Sequence, residues 1–220
     1  MADVLIIGGH GKVALLAAPL LTEAGHTVTS VIRNPDHAED VRAAGAEPLV
    51  LDVERASPAE LEEAIRGRDA VVWSAGAGGG DPQRTRAVDR DAAIASMDAT
   101  RTAGVRRYIM VSYLGASLDH GVPEGHDFHA YAQAKAEADE HLRGTDLDWT
   151  ILGPGALTLA EPTGAVAVDP DVVEGGDSST SRGNVARMIV AALDVPDAVG
   201  RQVEFVDGDT PVGEVFPARA

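Results

Sequence analysis

Val4-Leu5-Ile6-Ile7-Gly8-Gly9-His10-Gly11-Lys12-Val13-Ala14 decides how this chain is read. Val4 to Ile7 is a continuous apolar run of the kind that forms a buried parallel strand. Gly8 and Gly11 then supply backbone that turns sharply and admits a phosphate with no Cβ in the way. Val13-Ala14-Leu15-Leu16-Ala17-Ala18 reads as a helix whose free N–H groups and positive dipole end point at that turn. Strand, glycine turn and helix in this order suit a dinucleotide pyrophosphate, with Gly8, His10, Gly11, Lys12 and Val13 as candidate contacts. Ala14 stands where the fingerprint has its last small residue, which close helix–strand packing permits. A glycine turn can also do no more than join a strand to a helix, so the rest of the chain must decide.

Working outward, strand and helix signals alternate, the pattern of a parallel α/β sheet. Thr27 to Ile32 is β-branched and strand-like, Pro35 to Ala44 a short helix, and Glu47 to Leu51 a third strand. Ser57-Pro58-Ala59-Glu60 starts a helix with serine at the cap and proline at the first position. Asp69 to Ser74 is a fourth strand, broken by Ala75-Gly76-Ala77-Gly78-Gly79-Gly80, and Gln83 to Ala103 predicts one long helix. Val105 to Ser112 is a fifth strand, Tyr131 to Leu142 a helix, and Leu147 to Leu152 a sixth strand. Beyond Pro154 the composition shifts to Gly, Pro, Thr and Asp, with a helix over Ser181 to Leu193 and a strand over Gln202 to Val206. No repeat or linker divides the chain. It is expected to form one continuous domain over residues 1–220, with 153–180 and 200–220 contributing to a small C-terminal substrate lobe.

The tip of the second strand bears on the cofactor. An acidic residue there takes the ribose 2′-hydroxyl of NAD, whereas an arginine accommodates the 2′-phosphate of NADP. Val31-Ile32-Arg33-Asn34 has no carboxylate, and the Arg33 guanidinium is a planar fork of donors. NADP(H) is therefore expected over NAD(H), which stays possible. Asp52-Val53, closing the third strand, can accept from the adenine amino group or act as an ordinary turn former. Ala75 and Gly76 put small residues at the sheet edge, where ligands of open α/β sheets bind.

The bulk numbers narrow the class. With 220 residues, 45% of them hydrophobic, and a net charge of −17, the chain suits a globular protein with a sizeable core. Its acidity argues against nucleic-acid binding, which needs a basic face. No apolar run approaches a membrane span, and no basic export segment opens the chain. The absence of cysteine removes disulfides, thiol catalysis and thiolate metal sites and agrees with a cytoplasmic location. His120, His126 and His129 cluster without regular ligand spacing, so no metal is expected and the segment reads as a polar loop.

Of 18 basic residues only Lys12 and Lys135 are lysine. Lys135 belongs to Tyr131-Ala132-Gln133-Ala134-Lys135, whose i,i+4 spacing sets Tyr131 and Lys135 on one helix face. Tyrosine with a pKa near 10 is a poor acid–base group at neutral pH. A neighbouring ammonium and a cationic nicotinamide would bring it down. Ser112, ending the fifth strand, is the third candidate of a catalytic set.

The glycine turn, Arg33-Asn34-Pro35, Arg107 to Ser112, Tyr131 to Lys135, Asp148-Trp149-Thr150-Ile151-Leu152, Ser181 to Ala186 and Gly208-Asp209-Thr210-Pro211 together resemble an atypical short-chain dehydrogenase/reductase of the NAD(P)-binding, NmrA-like kind. The resemblance covers nearly the whole chain and implies a Rossmann-like, doubly wound parallel sheet. It implies that Lys135 contacts the nicotinamide ribose, that Tyr131 is the proton donor, and that Pro154, Gly155 and Ala156 lie beside the nicotinamide. Tyr113 stands where relatives often have a second serine, and Gly153 where they often have arginine. The expected function is NADP-dependent hydride transfer to or from a small carbonyl, quinone or related substrate, by a monomer or homodimer. The rival is a non-catalytic NAD(P)-binding redox sensor or regulator; a nucleotide-sugar epimerase is less favoured, since the chain leaves only a small lobe for such a substrate.

Overall fold

The structure, a computed structural model, describes residues 1–78, 81–168 and 178–217. Its first half alternates strands and helices: β1 (Asp3–Ile7), α1 (Lys12–Glu23), β2 (Thr27–Ile32), α2 (Ala38–Ala43), β3 (Glu47–Val50), α3 (Pro58–Ile65) and β4 (Ala70–Trp73). α3 begins with the expected cap: Ser57 Oγ accepts from Glu60 N–H while Glu60 reaches back to Ser57 N–H. Next come α4 (Pro82–Thr85), a π-helical stretch Arg86–Ala92, α5 (Ala93–Thr102), β5 (Arg107–Val111), α6 (His129–Arg143) and β6 (Asp148–Pro154). The chain ends with β7 (Ala156–Thr158), β8 (Ala165–Ala167), β9 (Ser179–Ser181), α7 (Arg182–Asp194), β10 (Arg201–Asp207) and β11 (Thr210–Pro211).

Nine strands form the main sheet in the order β11-β8-β10-β6-β5-β4-β1-β2-β3, parallel from β10 to β3 and antiparallel at β8 and β11. This is the Rossmann-like, doubly wound α/β architecture. β1 shows why its run is apolar throughout: Val4 and Ile6 join one core with α1 and α7, while Leu5 and Ile7 join the other with α3, α5 and α6. Ala14 is fully buried in the first of these layers. β1 leads to β2 and β3 on one side and β4 continues on the other, so the sheet reverses between β1 and β4, where such folds bind ligands.

Two features differ from expectation. The long helix is interrupted by the π-helical stretch, and the wider turn lets Val88 and Asp89 both face the interior. Residues expected in the C-terminal lobe divide their roles: β8, β10 and β11 extend the main sheet, and β7 and β9 pair in a separate two-stranded sheet. Residues 169–177 and 218–220 of that expectation, and Gly79-Gly80 of the glycine-rich segment, lie outside the described residues. Among the described residues no helix is long and apolar enough to cross a membrane.

Candidate active site

The glycine turn is built by close backbone approach. Gly8 has φ +90°, and a Cβ there would lie 2.6 Å from Ala75 Cα. Gly9, which sequence reading did not single out, abuts β2: a Cβ there would lie 2.4 Å from Ser30 Cβ, and its N–H donates to Val31 O at 2.8 Å. Gly11 N–H donates to Gly8 O at 2.8 Å, closing the turn as α1 begins at Lys12. The positive end of α1 thus sits at the sheet reversal.

Here lies a cavity of about 310 Å³ at the C-terminal ends of β1, β2, β3 and β4. Gly8, His10, Gly11, Arg33, Asp52, Val53, Ala75 and Gly76 all line it. Lys12 and Val13 do not: Lys12 is exposed and Val13 is packed into the core at the start of α1. His10 stacks on His37, ring centroids 3.6 Å apart, and pairs with Asp40 at 2.8 Å.

Two charged lining residues, Glu54 and Arg84, escaped sequence reading. Glu54 Oε2 stands 3.8 Å from the Arg33 guanidinium and 3.5 Å from Arg84 Nε, so one carboxylate oxygen faces two arginines from separate elements. Arg84 also donates to Ala77 O at 2.8 Å, while Ala77 N–H donates to Asp89 at 3.0 Å. The backbone after β4 is therefore held from both sides by the segment that carries α4 and the π turn. In a chain this rich in arginine and acidic residues nothing marks Arg84 or Glu54 in advance.

A second cavity, of about 450 Å³, is lined by Ser112, Tyr131, Pro154, Gly155 and Ala156 together with Tyr113 and Phe128. Gly155 is required where β6 passes β9: a Cβ would fall 2.0 Å from Ser178 O. None of His120, His126 and His129 lines either cavity; they tie down their own loop, His120 and His126 accepting from Val122 N–H and Phe128 N–H and His129 bonding Val122 O.

Lys135 lines neither cavity. It is 1% exposed, and its Nζ donates to Val111 O at 2.7 Å, beneath the end of β5. Burial pushes this ammonium down, against the upward pull of Asp139 and Asp89. Ser112 spends its hydroxyl hydrogen on Asp139 Oδ2. Burial lifts Asp139 to about 6, although Lys135 and the Ser112 hydrogen bond oppose it. Asp89 is likewise raised, by burial first. The expected lowering of Tyr131 is not found: burial pushes its hydroxyl above the usual tyrosine value, and Asp89, Tyr113 and Asp139 add to the rise. The physical reason is first burial, which strips a phenolate of water, and then the nearby carboxylates of Asp89 and Asp139, which repel its charge.

Fold and site together define a dinucleotide-binding protein, and the chain belongs to the NAD(P)H-binding family, which matches residues 8–196. It is 36% identical to UPF0659 protein C216.03 of Schizosaccharomyces pombe, covering 96% of this chain and 92% of that one. It is 33% identical to YhfK of Bacillus subtilis, described as an uncharacterized sugar epimerase, over 97% and 98% of the two chains. A solved structure from Bacillus halodurans, described provisionally as a NAD-dependent epimerase/dehydratase, superposes with TM-score 0.89 at 32% identity, covering 98% and 99%.

Proposed function

We propose that the protein is an NADP-dependent reductase of a small carbonyl, quinone or related substrate, working in the cytoplasm. The observation that carries this reading is Tyr131: it lines the second cavity with Pro154, Gly155 and Ala156, and its environment keeps the hydroxyl protonated. A group that resists ionisation in the free protein suits proton donation to a developing alkoxide more than proton removal from an alcohol. The dinucleotide supplies the hydride. The chain supplies the proton: Tyr131 would give its hydroxyl hydrogen to the substrate oxygen as charge develops there, and solvent would restore it. Lys135 acts as a positioning residue, fixing Val111 O and balancing Asp89 and Asp139. The complete Ser112, Tyr131 and Lys135 set is not needed in this scheme, because Ser112 is committed to Asp139.

Arg33 and Arg84 support NADP(H): two guanidinium groups flank one point of the first cavity, where a 2′-phosphate would replace the Glu54 carboxylate. Asp52 and Glu54 line the same cavity and could accept from ribose hydroxyls, which leaves NAD(H) as a weaker cofactor.

Tyr131→Phe tests the mechanism. NADPH binding by titration should persist, while NADPH oxidation across carbonyls and quinones should fall roughly 100-fold or more. Full turnover in this variant would sink the proton-donor role. The Ser112–Asp139 bond is what favours the second reading, a redox-sensing binder; tight NADP binding with no oxidation of NADPH by carbonyls, quinones or flavins would support it.

A further inference from the structure

The chain has three tyrosines, three phenylalanines and two tryptophans, yet two of those tyrosines and one phenylalanine meet at a single cavity. Tyr113 and Phe128 stand edge to face at 5.4 Å, Tyr113 and Tyr131 are 5.4 Å apart, and Phe128 and Tyr131 are 5.3 Å apart. The triangle is not closed off as a core. Phe128 is 40% exposed and Leu157, on the same lining, is 39% exposed, so apolar surface faces the opening. Among the described residues the lining has no charged side chain. Ring faces and edges hold another planar ring well, and an apolar cavity with a few hydroxyls is the usual setting for an uncharged small molecule. A sugar nucleotide carries a diphosphate that needs cationic or N–H-rich contacts, and the described lining has no lysine or arginine to give it.

We propose that the second cavity selects an uncharged planar ring compound bearing the reducible carbonyl, with Tyr113 and Phe128 as specificity-determining residues. This rests on the reductase reading for its chemistry but not for its binding. Tyr113 forms one wall of the cavity, its ring packed against both Phe128 and Tyr131. The two-electron step is that of the proposed reaction: a quinone gains a hydride and one proton and leaves as the hydroquinone, with NADPH oxidised to NADP⁺.

The test is isothermal titration of the NADP⁺-loaded protein, which cannot reduce its ligand, with 1,4-naphthoquinone, cyclohexanone and UDP-glucose. Naphthoquinone should bind at least tenfold more tightly than cyclohexanone, and UDP-glucose should not compete. Phe128→Ala and Tyr113→Ser should each weaken naphthoquinone about tenfold, with NADP⁺ titration confirming that each variant is folded. UDP-glucose binding as tightly as naphthoquinone, or naphthoquinone affinity unmoved in both variants, overturns the proposal. NADPH-oxidation assays separate the two readings. Selective ring binding without turnover supports this pocket and sinks the reductase, while turnover of aliphatic and ring carbonyls alike with no ring preference in binding does the reverse.

Discussion

Ser112 and Asp139 are bound to each other beneath the candidate site: the serine hydroxyl at the end of β5 donates to a carboxylate one helical turn past Lys135 on α6. The other oxygen of Asp139 is buried without a hydrogen-bond partner among the described residues. A carboxylate so placed is poorly solvated, and that is why its pKa lies near 6. The Ser112 hydroxyl thus joins the second cavity, which it lines, to a buried cluster of Asp139, Lys135 and Asp89.

Asp139→Asn makes this measurable. A carboxyl whose folded pKa is raised binds its proton more tightly in the folded state. Its contribution to stability is therefore fully present below the unfolded pKa near 3.9 and is lost as pH rises through about 6. The stability of the protein minus that of Asp139→Asn, from urea unfolding at a series of pH values, should fall between pH 4 and 7 and flatten above. A shift of this size corresponds to about 3 kcal/mol. A difference curve with no pH dependence would show that Asp139 is not held as described.

Lys135 gives a second handle on the same cluster. Replacing it by methionine leaves Asp89 and Asp139 buried without the cation that both draw on. Breaking a buried charge arrangement from one side costs on the order of 3–5 kcal/mol. In a chain of this length that lowers the melting midpoint by roughly 10 °C. Because the orphaned carboxyls respond by holding protons, the deficit should be smaller at pH 5 than at pH 8. An equal deficit at both, read by thermal unfolding, would detach Lys135 from the two carboxylates.

The facing of Glu54 on Arg33 and Arg84 predicts cofactor selectivity. Arg84→Ala and Arg33→Ala should each weaken NADP(H) about tenfold, near 1.4 kcal/mol, and leave NAD(H) nearly unchanged. Glu54→Gln should act the other way, tightening NADP(H) several-fold by removing a competing carboxylate. Dissociation constants for both cofactors across the three variants decide this. An equal loss of NAD(H) and NADP(H) in Arg84→Ala would assign that arginine to its bond with Ala77 O alone.

How much of this was legible beforehand follows from the range of each interaction. β2 was readable to its ends because Thr27 to Ile32 carries its own β-branched signal, and Arg33 was readable because it follows directly. The i,i+4 relation of Tyr131 and Lys135 is local, and both residues lie on α6. What Lys135 touches was not, since Asp89 is delivered to it from another helix by a π turn that no propensity announces. The Ser112–Asp139 bond spans 27 residues, and the Arg84–Glu54 pair joins segments that meet only after the sheet is assembled.

Gly9 belongs to the same lesson and carries the last prediction. The fingerprint explains glycine at positions 8 and 11, but position 9 is constrained by β2 rather than by a phosphate. A methyl group there would meet Ser30 Cβ at 2.4 Å and Ser30 backbone atoms at 2.9 Å, and backbone cannot swing aside as a flexible side chain does. The turn must therefore lift from β2, straining the Gly9 N–H to Val31 O bond and moving the start of α1. Gly9→Ala should cost about 1–3 kcal/mol in urea unfolding, the usual range for overpacking. It should also weaken NADPH at least tenfold. Gly213→Ala, where a Cβ meets nothing within 4 Å, is the matched control and should do neither. Normal NADPH affinity in Gly9→Ala would mean that the turn does not hold the dinucleotide against β2, and the first cavity would lose its claim to the cofactor.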